Sequence, residues 1–254
     1  RSEAMELGNL AVVLRRLGRL DEAAEMSQEA ATGHREVGNS TSLGSTLLGL
    51  AMARHLQGRP ADAEPTYREA LGVQRAVGNR REECVTAGNL GAALQDLGRL
   101  DEAEVALREA VDAAERVGAL QVECVHSSRL ADVLLERGRH EQARSPLRRS
   151  VELAERFAVE PLLSSLRVLE SELELAAGNM DAAEGALEQA RPRLADAGDP
   201  GARAKFAAQA GQLALARGDR SRAMAWLVKA RGGCTAASPS DLRRVVSRLE
   251  AELE

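Results

Sequence analysis

The residues of this 254-residue chain best suited to metal or nucleophilic chemistry are four histidines and three cysteines. His34, His55, His126 and His140 stand apart, none with a second histidine one helical turn away. Cys124 and His126 lie close in sequence, but a structural zinc site asks for four such ligands and a catalytic one for three. Cys84, Cys124 and Cys234 form no C-x-x-C pair, and the first two are forty residues apart. That equivalence reads as small apolar groups packed between helices. There is no phosphate loop, no G-x-S-x-G turn and no H-E-x-x-H helix. With 39 acidic residues, any carboxylate pair could be named as acid and base, so none is singled out. The chain therefore reads as a non-enzyme that needs no cofactor and no metal, and its polar residues must be weighed for recognition instead.

Composition narrows what could be recognised. Net charge is −5, and the two signs are mixed along the chain with no basic block, which argues against direct nucleic-acid binding by this segment. No apolar run reaches the length of a membrane span, and no signal peptide opens the chain. Unpaired cysteines fit a reducing compartment, which makes the cytoplasm the expected location. The chain begins at Arg1, without Met and almost at once in a helical pattern, so it reads as a fragment of a longer protein. Aromatics make up 2%, so Ala and Leu must fill the core, which favours closely packed helices over sheets.

The elements that position the polar residues are set by a repeat. Gly18, Gly58, Gly98, Gly138, Gly178 and Gly218 recur every 40 residues. Five residues after each comes Ala: Ala23, Ala63, Ala103, Ala143, Ala183 and Ala223. Twelve after each comes Ala30, Ala70, Ala110, Ser150, Ala190 or Ala230. A second series, Gly38, Gly78, Gly118, Ala158 and Gly198, falls midway. Glycine adopts the left-handed conformation that ends a helix, so the two series cut the chain into helices of about 15–18 residues. The small residues would let the second helix of each pair lie close to the first. Asp21-Glu22 and Asp101-Glu102 suit helix starts, as do Pro60, Pro161 and the Asp199-Pro200 pair.

On these residues the chain resembles the tetratricopeptide family. Leu90-Gly91, Ala103, Leu107 and Ala110 match its motif in the third unit; Gly211, Ala223, Leu227 and Ala230 match it in the sixth. Leu10-Ala11 with Ala23, Leu50-Ala51 with Ala63, and Leu130-Ala131 with Ala143 match it in the first, second and fourth. The fifth departs: Glu170-Ser171 replaces Leu-Gly, leaving its register open, and its stripe is expected at Leu166, Leu169, Leu173 and Ala176. The 40-residue length is similar to kinesin-light-chain and Pins/LGN-type repeats, and to the arrays of AfsR-like and MalT-like bacterial regulators. The resemblance implies an all-α fold, a right-handed α-α superhelix of six helix-turn-helix units (about 4–39, 40–79, 80–119, 120–159, 160–199 and 200–232). Residues 233–254 would be a linker and a capping or truncated seventh helix. In that last helix Leu242, Val245, Val246, Leu249 and Leu253 form the apolar stripe, with Arg243, Arg244, Arg248 and Glu252 on the other faces.

Some features break the pattern. Pro65, Pro146 and Pro192 fall inside second helices, where a kink is expected. Arg137, Arg139, Arg144, Arg148 and Arg149 with His140 cluster at one turn, read as a solvated face. Residues 231–240 form the least regular stretch.

The resemblance also implies a concave groove lined by first helices. Carried over by helical phase, its positions fall at Asn9, Val12 and Arg16, then Met52 and His55, then Asn89, Ala92, Gln95 and Asp96. Next come Arg129, Asp132 and Glu136, then Glu172, then Gln209 and Gln212. Asn9 and Asn89 could read a peptide backbone, since an amide both donates and accepts. Asp96, Asp132, Glu136 and Glu172 make part of the groove acidic, suited to a partner with basic residues. No Lys/Asn cluster of the chaperone-tail type is present. The expected function is a protein or peptide interaction or sensor module within a larger bacterial regulatory protein. Sensing of a small molecule or signal peptide, and structural self-assembly, stand as alternatives.

Overall fold

The computed structural model describes residues 2–196, 200–234 and 240–253. Among them the chain forms thirteen α-helices and no strand. They are α1 (Ser2–Arg16), α2 (Leu20–Glu36), α3 (Ser40–Leu56), α4 (Pro60–Val77), α5 (Arg80–Asp96), α6 (Leu100–Arg116) and α7 (Leu120–Glu136). Then follow α8 (His140–Arg156), α9 (Glu160–Ala176), α10 (Met180–Asp196), α11 (Pro200–Ala216), α12 (Arg220–Gly233) and α13 (Ser240–Leu253). Two compact bodies result, Arg1–His126 and Ser127–Glu254. In the first body α1 to α6 pack each on the next, and in the second α8 to α13 do.

The turns share one construction. The Arg19 N–H donates back to the Leu14 carbonyl, and the same bond recurs from Asn39, Arg59, Asn79, Arg99, Ala119, Arg139, Val159, Asn179 and Asp219, all at 2.8–3.1 Å. This six-residue closure needs a left-handed residue just before its donor. Nine glycines supply it, with φ between 66° and 81°. Ala158 takes the same place at φ 52°, the one non-glycine with positive φ among the described residues. Gly198 and Asp199 lie outside the described residues, as do 235–239 of the irregular stretch. Asn39 and Asn79 then cap the following helices, accepting from the Ser42 N–H at 3.2 Å and the Glu82 N–H at 3.4 Å. At two of the turns where arginine holds that place, it pairs with an acid three residues on: Arg59 with Asp62 at 2.6 Å and Arg99 with Glu102 at 2.6 Å.

Between the turns, the small residues sit where helices cross. Ala23, Ala63, Ala103, Ala143, Ala183 and Ala223 are at most 1% exposed, and Ala30, Ala70, Ala110, Ser150, Ala190 and Ala230 are fully buried. At Gly91 a methyl group would sit 2.6 Å from Leu107 Cγ and 3.3 Å from the Ala103 carbonyl oxygen. The α5–α6 crossing therefore excludes even a β-carbon there. Ion pairs such as Arg35–Glu69 (2.6 Å) and Arg75–Glu109 (3.3 Å) step between successive second helices at the surface. Exposed pairs of this kind contribute about 0–1 kcal/mol each, so burial of the Ala/Leu stripes carries the stability.

The departures from the repeat are absorbed. In α9, Ser171 occupies the small position with no exposure. Glu170, in the leucine place, accepts a hydrogen bond from Arg167 at 2.7 Å. The register is thus kept, and the buried stripe runs through Leu166, Leu169 and Leu173, while Ala176 is exposed rather than part of it. Helices α4, α8 and α10 continue through Pro65, Pro146 and Pro192. Helix α13 buries Leu242, Val245, Val246, Leu249 and Leu253 against α11 and α12, and the Arg220 side chain donates to the Leu253 carbonyl.

A left-handed alanine costs about 1 kcal/mol relative to glycine. Ala158→Gly should therefore raise unfolding stability by about 0.5–1 kcal/mol, seen as a higher urea midpoint at unchanged slope. A lower midpoint would show that the Ala158 methyl has a packing role that outweighs the strain.

Candidate functional site

Helical phase groups the polar candidates. Asp132 and Glu136 are four apart on α7, and Lys205, Gln209 and Gln212 stand at i, i+4 and i+7 on α11, so each set shares a face. In the second body these faces converge. The Arg244 guanidinium, from α13, lies 3.7 Å from Asp132 Oδ1, 3.5 Å from Glu136 Oε1 and 3.5 Å from Glu172 Oε1. Lys205 Nζ stands 3.7 Å from Asp132 Oδ2. All three acidic side chains are 11–13% exposed. Gln209 and Gln212 are buried on the Lys205 face, and neither Gln209 amide atom has a hydrogen-bond partner among the described residues. Arg129, one turn before Asp132, is exposed instead.

Arg244, off the apolar stripe of α13, turns inward to the carboxylates. Its contacts are long. Arginine–carboxylate hydrogen bonds usually measure about 2.7–2.9 Å, whereas Arg244 makes one, to Glu172 at 3.5 Å, and leaves Nε and one terminal nitrogen without any. The slot is charge-matched to a guanidinium but holds this one loosely.

In the first body the candidates are spread. His55 Nε2 and Asp96 Oδ2 are 2.8 Å apart, joining α3 to α5, and the imidazole meets the Tyr67 ring edge-on at a centroid distance of 6.3 Å. Gln95 is buried, Met52 and Asn89 half-buried, and Arg16 exposed. Asn9 and Val12 line a cavity of about 210 Å³ with Ser27, His34 and Thr46. His34 is 2% exposed. Its Nδ1 has no hydrogen-bond partner among the described residues, and burial holds its pKa below the ordinary histidine value.

Among the groups read for chemistry, His126, Cys84 and Cys124 are buried. His126 packs over Gly88, where any β-carbon would overlap its imidazole ring. Cys84 and Cys124 are buried, and burial pushes the Cys84 thiol up, away from the nucleophilic thiolate. No group of three or more His, Cys, Asp or Glu is placed to hold a metal among the described residues. Of the basic cluster, Arg144 pairs with Glu174 at 2.9 Å and with Glu141 at 3.3 Å, and Arg149 with Glu152 at 3.7 Å. No helix of the described residues is long and apolar enough to cross a membrane.

A family model for the tetratricopeptide repeat matches residues 2–76 and 82–156, together more than half of the chain. The chain belongs to the tetratricopeptide repeat family. No curated protein sequence matches it, but solved structures share its fold. The apo form of RapI superposes with a TM-score of 0.74 at 12% identity, over 97% of this chain and 85% of that one. A kinesin light chain with tetratricopeptide-like repeats from Podosopora anserina gives 0.62 at 18%, over 78% and 97%. A signal transduction ATPase with a tetratricopeptide repeat sensor, from Pyrococcus horikoshii, gives 0.73 at 16%, over 99% and 38%. At these identities the likeness is one of fold. This tetratricopeptide chain is therefore an all-α solenoid of helix-turn-helix units, a scaffold type that is typically non-catalytic and binds proteins.

Sequence reasoning selected Asp132, Glu136, Glu172, Gln209 and Gln212 but missed Lys205 and Arg244. Both missed residues lie in the second turns of their helices, α11 and α13. Lys205 was recoverable, being on the face of Gln209 and Gln212; Arg244 depends on how α13 docks.

His34 gives a pH prediction. Its folded pKa is depressed, so the unfolded chain binds the proton more readily and stability falls as pH drops through the unfolded value of about 6.5. Denaturation midpoints of wild type should therefore decline between about pH 7 and pH 5 more than those of His34→Leu. Parallel pH profiles would remove His34 as the cause.

Proposed function

We propose that this chain is a non-catalytic interaction or sensor module within a larger bacterial regulatory or signalling protein, and that it holds a protein or peptide partner through that partner's basic residues. The concave groove expected of the family is the binding surface, with Asp132, Glu136 and Glu172 as its charged centre and Gln209 and Gln212 as its amide lining. The observation that carries the reading is the loosely held Arg244. A guanidinium from the same chain marks the chemistry this slot accepts. Its long contacts leave room for a partner's arginine to bind better and displace it. Buried amides without partners cost about 1–3 kcal/mol each, and a bound peptide backbone would satisfy them. The solved signal transduction ATPase that carries a tetratricopeptide repeat sensor supports the sensor reading by analogy of fold.

The test is binding of an arrayed library of arginine-containing peptides and their arginine-to-glutamine counterparts. Arg244→Ala should tighten binding of the arginine peptides about tenfold, roughly 1.4 kcal/mol. Asp132→Asn with Glu136→Gln should abolish it while helicity by circular dichroism is unchanged. Equal binding by all variants, or equal capture of the glutamine peptides, would refute the assignment.

A further inference from the structure

A cavity of about 470 Å³ opens in the second body between the end of α10, the start of α11 and the end of α12. Its size falls in the range of ligand pockets, about 300–1,000 Å³. Leu194, Phe206, Ala207 and Trp226 wall it. Phe206 and Trp226 meet edge to face at 5.9 Å, so two of the chain's four aromatic residues are spent on this one surface. At its base Gly233 lies so close to α11 that a β-carbon would sit 2.6 Å from the Pro200 carbonyl oxygen.

The rim is cationic. Arg191, Arg203 and Lys229 also line the cavity, and all three are exposed. Lys229 Nζ stands 4.1 Å above the Trp226 ring, a cation–π contact that holds its charge at the mouth. None of the three has a carboxylate partner among the described residues. The contrast is with Arg144, Arg167 and Arg217 in the same body, each paired with two acids. Three like charges around an apolar well, in a chain of net charge −5, repel one another until an anion neutralises them. Arginine is suited to a carboxylate, which it can meet with two parallel hydrogen bonds. The walls ask for a hydrocarbon or aryl body behind that carboxylate.

We propose that this cavity is a binding site for a small amphipathic anion, an alkyl or aryl carboxylate, with the carboxylate at Arg191, Arg203 and Lys229 and the apolar body against Phe206 and Trp226. The site is separate from the acidic slot and opposite to it in charge, so each can be present without the other.

Trp226 is the only tryptophan, so its emission reports directly on the cavity. The full chain is titrated with decanoate below its micellar concentration, beside decanol and decylamine. Decanoate should change Trp226 emission saturably. Arg203→Ala with Lys229→Ala should weaken that response about tenfold, with an unchanged thermal melt because both residues are exposed. Decylamine should give no saturable response. No saturable response to decanoate, an equal response to decanol or decylamine, or an unchanged response in the double variant would each overturn the proposal. Ala207→Phe, which fills the well and leaves the rim charges in place, should also lose the response; retention there would place the anion elsewhere.

Discussion

The structure depends on how closely paired helices approach at small residues. A 17-residue helix whose apolar face is mostly Ala and Leu has little apolar area to bury per turn. It can gain enough only by lying near its partner, where dispersion contacts are dense. The small residues five and twelve positions after Gly18, Gly58, Gly98, Gly138, Gly178 and Gly218 are at most 1% exposed, and Gly91 lacks room even for a methyl. The chain therefore stacks pairs without the aromatic residues that usually fill such crossings. Ten of the described turns repeat the same six-residue closure, which fixes where those helices end and so which face they present.

That economy has a consequence for recognition. Positions tied to the 40-residue period are occupied by packing, so residues that vary from unit to unit are the ones left for binding. In the second body these variable positions gather unlike charges: three carboxylates around Arg244, and elsewhere three cations around an apolar well. Both arrangements sit on side chains from several helices, and neither follows from any one unit. A repeat scaffold can hold such sites because each helix is placed by its neighbours rather than by the site.

The fold was legible in the sequence because its determinants are local and periodic: glycine where φ must be positive, alanine where helices cross, an acid at a helix start. Ser171 shows why a missing motif did not matter, since any small side chain meets the same constraint. Asp132, Glu136 and Glu172 were named from the family resemblance, whose groove positions were carried over by helical phase. The inward turn of Arg244 was not legible. It depends on the docking of α13, and an arginine among polar residues on an amphipathic helix reads the same whether it faces water or carboxylates. The cationic well was hidden too, because Arg191, Arg203 and Lys229 share no spacing and meet only when the ends of α10 and α12 flank α11.

The close-approach constraint is tested most directly by making one substitution in two places. Alanine is the better helix former by about 0.8–1 kcal/mol, so in open space Gly→Ala stabilises. At Gly72 of α4 nothing stands within 4 Å of the added methyl, and Gly72→Ala should raise the unfolding free energy by up to about 1 kcal/mol. At Gly91 the methyl meets Leu107, and the same change should lower it by about 1–3 kcal/mol. Opposite signs at the two positions support the account. Stabilisation at both would contradict it, because the α5–α6 crossing would then have room it is held not to have.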